Sequence, residues 1–198
     1  MSSLRIALCG PSGTGKSTLA KHISEEFGIP FITTSTKELW EKHRIYCHSD
    51  IIKRTVNEPQ WGYEFQVECL QLRLEKVREY PEFVTDRSPL DNWVYFLLQC
   101  SPFLLEAQCD NYLSLCQEAM RSLTGLIYLP YTTNVQLEND GKRINNGHYQ
   151  KLTGYVFDNA RRSFHMHSAD ILMDVTIPEW AWKLRTEEAN RYINYIKA

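Results

Sequence analysis

The sequence predicts an open α/β fold, in which a parallel sheet is covered by helices on both faces. Three observations carry that expectation. Short β-rich runs alternate with longer amphipathic stretches along the chain, the layout of parallel strands joined by crossover helices. The first apolar run, LRIALC, breaks into GPSGTGKST and then resumes with helical spacing. The 198 residues are 43% hydrophobic, enough for one sizeable core and so for a single domain over residues 1–198.

Strands are expected at residues 4–9, 30–34, 82–85, 125–129 and 170–174. Helices are expected to begin at Lys16, near Glu58, near Pro89, near Leu104, near His148 and at Pro178. In the second of these, Val67, Leu70, Leu74 and Val77 recur three or four apart and share one face. Pro178 suits the first turn of the last helix, where its missing N–H costs nothing. Open α/β sheets bind ligands beyond the carboxyl ends of their strands. The loop after Cys9 lies there.

Composition narrows the function. A formal net charge of -2 argues against a generally basic nucleic-acid binder and leaves only a local basic groove. The six cysteines form no C-x-x-C pair, so they are expected as reduced thiols filling the core of a cytoplasmic protein. The first apolar run is too short for a signal peptide. No run approaches the roughly 18 apolar residues of a membrane span, and no membrane partner is expected.

Residues 10–17, GPSGTGKS, fit the pattern G-x-x-x-x-G-K-[ST]. The glycines let the backbone double back so that successive N–H groups converge on an anion. The helix beginning at Lys16 adds the positive end of its dipole. Lys16 is placed to reach the β- and γ-phosphates, and the Ser17 hydroxyl to ligate Mg²⁺. The expected ATP-binding set is Gly10, Ser12, Gly13, Thr14, Gly15, Lys16, Ser17 and Thr18. The expected architecture is then the three-layer P-loop NTPase fold, with ATP and Mg²⁺ as cofactors.

Such a loop serves motors, switches and kinases alike. No N-K-x-D base-reading motif of a guanine-nucleotide switch occurs. An AAA-type motor requires a longer chain with a second, helical domain. Kinases of small metabolites fit the size and layout. The stretch EFVTDRSP at residues 82–89 would deliver Asp86 and Arg87 to the edge of the sheet. Asp86 could hold Mg²⁺ directly or through water, or take the proton of an attacking hydroxyl. Arg87 offers a planar fork to an anionic substrate group or to the transferring phosphoryl. A surface ion pair beside a turn is the plainer alternative.

GPSGTGKST, TDRSPLD and the arginine-bearing NDGKR, in that order, resemble the nucleoside and nucleotide kinases of the thymidylate-kinase-like P-loop superfamily. More narrowly, they look like small viral and bacterial kinases related to nicotinamide riboside kinase. The resemblance implies that Asp86-Arg87-Ser88 contacts substrate and metal. It also implies that Trp61, Phe65 and Gln66, in WGYEFQ, grip a base by stacking and by the amide edge. Trp61, Tyr63 and Phe65 are alternatively core residues at a helix start. Deoxynucleoside kinases usually place an acid just after the second strand; here the region reads TTSTK, and Glu38 is the first acid. Either Asp86 serves as general base or Glu38 swings in.

By the same resemblance residues 134–150 form a lid, whose cation, Arg143 in preference to Lys142, would stabilise the transferring charge. His43, Cys47 and His48 lack the second ligand pair of a zinc site. The expected activity is transfer of the ATP γ-phosphoryl to a nucleoside or nucleotide. Two alternatives stand beside it: phosphorylation of a modified base such as hydroxymethyluracil in DNA, as some similar phage-encoded kinases do, and an NTP-binding regulatory protein with little turnover. A homodimer is compatible with the sequence.

Overall fold

The computed structural model describes residues 3–132, 144, 146–167, 173–177 and 181–198. Five parallel strands form one sheet in the order β2-β3-β1-β4-β5. They are β1 (Arg5–Cys9), β2 (Phe31–Ile32), β3 (Phe83–Thr85), β4 (Gly125–Tyr128) and β5 (Met173–Thr176). β1 is central, pairing Ala7 with Thr85 of β3 and Cys9 with Tyr128 of β4. Successive side chains of a strand point to opposite faces, and the two cores follow that alternation. Ala7, Cys9, Phe83, Leu126 and Tyr128 enter one core, while Ile6, Leu8, Val84 and Ile127 enter the other.

Eight α-helices are described: α1 (Lys16–Phe27), α2 (Lys37–Lys42), α3 (His48–Asn57), α4 (Pro59–Arg78), α5 (Pro89–Gln99), α6 (Glu106–Met120), α7 (Gly147–His167) and α8 (Trp182–Lys197). α1 and α8 cover one face of the sheet through Leu19, Ala20, Ile23, Ala189 and Ile193. α4 to α7 cover the other, through residues such as Phe65, Leu70, Trp93, Phe96, Cys116 and Phe157. This is the expected three-layer α/β arrangement with a central parallel sheet. All six cysteines are free, and four of them, Cys9, Cys69, Cys100 and Cys116, are buried. No helix among the described residues is long and apolar enough to cross a membrane.

Several boundaries differ from expectation. β2 keeps only Phe31 and Ile32; residues 33–36 leave the sheet and form a wall of the cavity described below. β5 is displaced toward the carboxyl end, because Met173 to Thr176 align with Gly125 to Tyr128. α8 begins at Trp182 rather than at Pro178, which lies outside the described residues. Two short helices, α2 and α3, were not foreseen. α3 starts where the Asp50 carboxylate accepts the backbone N–H groups of Tyr46 and Cys47, each at 3.0 Å. Neither residue has the Ser, Thr, Asp or Asn side chain of an ordinary N-cap.

Where β1 turns into the loop, Gly10 adopts φ +136. A Cβ there would stand 2.1 Å from the carbonyl oxygen of Leu129, a backbone atom that cannot step aside. Gly10→Ala is therefore expected to cost on the order of 3 kcal/mol or more from backbone strain and collision together. A chemical denaturation midpoint close to that of the wild type would contradict this.

Candidate active site

The loop of residues 10–15 leaves the carboxyl end of β1 and closes on the amino end of α1. Gly13 and Gly15 take φ values of 83 and 85, the left-handed region open to glycine. The Thr14 hydroxyl donates to the Pro11 carbonyl at 3.0 Å. The Lys16 amine donates to the carbonyls of Gly10 and Pro11 at 2.8 and 2.7 Å. With only 6% of its surface exposed, Lys16 lies folded against its own loop. Burial, and after it the charge of Arg87, lowers its pKa from 10.5 to about 7; Asp91 and Asp86 oppose the shift. Gly13, Ser17 and Thr18 are exposed at the loop's open side.

β3 ends beside this loop and delivers Asp86, whose carboxylate accepts a hydrogen bond from the Ser17 hydroxyl. Arg87 follows, with Nη1 donating to Asp91 at 3.1 Å and its guanidinium carbon 5.7 Å from the centre of the Tyr95 ring. Burial works against the Arg87 charge, yet Tyr95, Asp91 and Asp86 outweigh it and hold the pKa above the usual arginine value. Asp91 has no exposed surface. It also accepts from the Ser88 backbone N–H at 3.0 Å and from the Ser88 hydroxyl at 2.8 Å. A reciprocal capping box, completed by Pro89 in the first turn, thus starts α5 and fixes the Arg87 fork at the same time.

Beyond Asp86 and Arg87 opens a cavity with about 280 Å³ of free volume. Ser17, Asp86 and Arg87 stand among its lining residues, and residues 33–37 form one wall. Phe65, Gln66, Cys69 and Arg73 line it from α4, and Asp91, Asn92, Tyr95 and Gln99 from α5. Trp40 and His48 line it as well, in edge contact at 5.1 Å. The Gln99 amide lies 2.8 Å from Nδ1 of His48, and the His48 ring stacks on Tyr95 at 5.7 Å. Arg73 donates to the Asn92 side-chain carbonyl at 2.5 Å. Burial and then the Arg87 charge lower the Arg73 pKa. The cavity therefore combines aromatic faces, amide edges and two guanidiniums.

Lys16, Ser17, Asp86, Arg87, Phe65 and Gln66 are brought around one cleft. Trp61, expected to meet a base, is not among the lining residues. Its Nε1–H donates to Nδ1 of His43 at 3.3 Å, its ring stacks on Phe65 at 5.1 Å, and the Arg54 guanidinium sits 4.1 Å above it. Phe65 lies one helical turn further along α4, whereas Trp61 is half-buried against His43 and Arg54. Glu38 does not swing in: its carboxylate pairs with Lys76 at 2.6 Å. Lys76 also donates to the Ser35 carbonyl at 2.6 Å and so ties residues 35–38 to α4. His43 and His48 serve separate contacts, with Glu68 at 2.6 Å and with Gln99. Lys142 and Arg143, with most of the expected lid, lie outside the described residues.

The sequence reading missed Trp40, His48, Arg73, Asn92, Tyr95 and Gln99. Trp40 and His48 ride on or beside the two unforeseen helices. Ser88-x-x-Asp91 carries a visible capping signal, which would have oriented α5 and with it Asn92, Tyr95 and Gln99.

A glycine loop clasping its own lysine, a helix amino end behind it and an Asp-Arg pair across the cleft define a P-loop nucleotide-binding protein. The sequence matches the family of AAA domains over residues 5–174, and the chain belongs to that family. No curated protein matches the sequence. Among solved structures, NadR in complex with NR superposes with a TM-score of 0.64 at 15% identity, over 98% of this chain and 52% of that one. The chain thus spans about half the length of the NadR chains it resembles. Deoxyadenosine kinase from M. mycoides with bound dCTP gives 0.62 at 16% identity, over 97% and 100%. YorR from Bacillus subtilis, in complex with phosphorylated GDP, gives 0.56 at 18%, over 97% and 95%. The fold is that of the P-loop nucleoside and nucleotide kinases.

Proposed function

We propose that the protein is an ATP-dependent kinase that transfers the γ-phosphoryl group to a nucleoside or nucleotide. One observation carries the reading: the cavity that holds Phe65, Gln66, Arg73 and Tyr95 opens directly onto Ser17, Asp86 and Arg87 at the loop's edge. A triphosphate cradled by the loop and an acceptor seated in the cavity would meet at that point. Phe65 and Tyr95 offer ring faces to a base, and Gln66, Asn92 and Arg73 offer donors and acceptors to its edge. Arg87 is held by Asp91 and turned toward the cleft, where it would bind the transferring phosphoryl or a phosphate already on the acceptor.

The Ser17 hydroxyl and the Asp86 carboxylate, already in hydrogen-bond contact, form a hard oxygen pair that fits Mg²⁺. When bound, Mg²⁺ neutralises charge on the β- and γ-phosphates. Asp86 would also orient an acceptor hydroxyl, a reading supported by the pairing of Glu38 with Lys76. Catalysis here is positioning plus charge neutralisation. The lid cation of the proposal is Arg143. No membrane partner enters, and the cytoplasm is the proposed site of action.

The test is a panel with ATP and Mg²⁺, covering nucleosides, nucleoside monophosphates, NR and duplex DNA containing hydroxymethyluracil. Transfer to a free nucleoside or nucleotide is expected. Transfer to the duplex alone would move the reading to a DNA base, and ATP binding without transfer would reduce it to a nucleotide-binding regulator. With the acceptor found, Gln66→Leu is expected to raise its KM by about ten- to a hundredfold. The KM for ATP should stay within a few-fold of the wild type, because Gln66 lies on the acceptor side.

A further inference from the structure

We propose that Arg185, on α8, is a positioning residue of the phosphate loop, setting the peptide between Thr14 and Gly15 so that the Gly15 amide faces the polyphosphate. The inference rests on the reading of residues 10–17 as a triphosphate site. Arg185 is 4% exposed. Its Nη1 donates to the Thr14 carbonyl at 2.6 Å, across 171 residues of sequence. The approach is close: a Cβ on Gly15 would stand 2.9 Å from that same nitrogen.

The peptide is trans, and in a trans peptide the carbonyl and the following N–H point in opposite directions. Drawing the Thr14 oxygen toward α8 therefore turns the Gly15 N–H the other way, to the side away from α8. Gly15 is the N-cap residue of α1, so the N–H groups that follow it lack intrahelical partners and are free for an anion. A guanidinium bonded to the amide oxygen also polarises the amide and strengthens its N–H as a donor.

The guanidinium is carried on a firm support. Ala189 and Ile193 of α8 share a core with Leu19, Ala20 and Ile23 of α1, so α8 is packed directly against the helix that follows the loop. The family match ends at residue 174. Arg185 thus acts from a helix beyond the matched span, on a loop within it.

The experiment compares full-length wild type, Arg185→Met and Arg185→Lys. Calorimetry measures the binding of tripolyphosphate and of ATP, and steady-state kinetics give the KM values. Arg185→Met is expected to weaken both ligands by about ten- to a hundredfold, the range for loss of one hydrogen bond to a charged group. Arg185→Lys should fall between it and the wild type, and the acceptor KM should remain unchanged. Unaltered tripolyphosphate affinity in Arg185→Met overturns the proposal. So do equal losses for ATP and acceptor, which would mark a merely structural tie. Should Arg185→Met fail to fold, Arg185→Lys decides by the same split between ATP and acceptor. A wild type that binds tripolyphosphate yet phosphorylates nothing refutes the kinase reading and leaves this binding test intact. A wild type that binds neither tripolyphosphate nor ATP refutes both.

Discussion

Replacing Lys16 by Met is expected to lower phosphoryl transfer by about a thousandfold or more, the scale on which preorganised cations act in this chemistry, while leaving the ligand-free protein no less stable near pH 6. The two halves of this expectation have one cause. Lys16 is folded against the Gly10 and Pro11 carbonyls with its pKa lowered from 10.5 to about 7 by burial and by Arg87. Below pH 7 folded and unfolded chains both hold the proton, and the folded state bears the full cost of a buried cation. Between about pH 7 and 10.5 the unfolded chain holds more protons than the folded one, so this contribution to stability improves as pH rises. Met keeps the apolar stem and never carries the charge. The stability difference between wild type and Lys16→Met should therefore shift in favour of the wild type from pH 6 to pH 9. A triphosphate should restore the lysine charge, so ATP binding at pH 8 should take up protons in the wild type and fewer in the variant. Calorimetry in buffers of different ionisation enthalpy reads this directly. A variant that retained most of its turnover, or a stability difference flat in pH, would contradict the assignment.

The second large effect is expected at Asp86. Asp86→Asn preserves shape and can still accept from Ser17, but it removes the negative charge beside Ser17 and Arg87. Turnover should fall by about a hundred- to ten-thousandfold, as for loss of a metal-holding or proton-accepting carboxylate. The dependence on Mg²⁺ concentration should move to higher values in the same variant, while metal-free ATP binds at least as well as before, since a repulsive charge has gone. Turnover within a few-fold of wild type at saturating Mg²⁺ would place the metal and the acceptor hydroxyl on other residues.

The phosphate-loop side of the cleft was legible in the sequence because its physics is local. Gly10, Gly13 and Gly15 are needed at positive φ, and Lys16 and Ser17 must follow them directly, so spacing alone locates them. Asp86 and Arg87 were legible for a related reason: they directly follow a short strand, and the carboxyl ends of parallel strands lie at the same edge as the loop after β1. The cavity side was less so. Phe65 and Gln66 line the cavity while Trp61, one turn earlier, is covered by His43 and Arg54, and nothing in the heptad spacing of α4 separates those outcomes. Arg73 and Asn92 meet only because α4 and α5 pack side by side, a contact between residues 19 apart in sequence. Glu38 was set aside by Lys76, from a helix whose register against residues 35–38 is a tertiary fact. The shortening of β2 has the same origin: residues 33–36 do better lining a cavity than lengthening an edge strand.

Apart from Ser17, every described residue around the cavity falls between Thr33 and Gln99. On the proposed reading, the residues that would choose the recipient fall in one block of sequence, together with Asp86 and Arg87, while the phosphate loop precedes that block and Arg185 follows it. On that reading, divergence within residues 33–99 that keeps Asp86 and Arg87 would retune which molecule is modified, with the phosphate loop inherited unchanged.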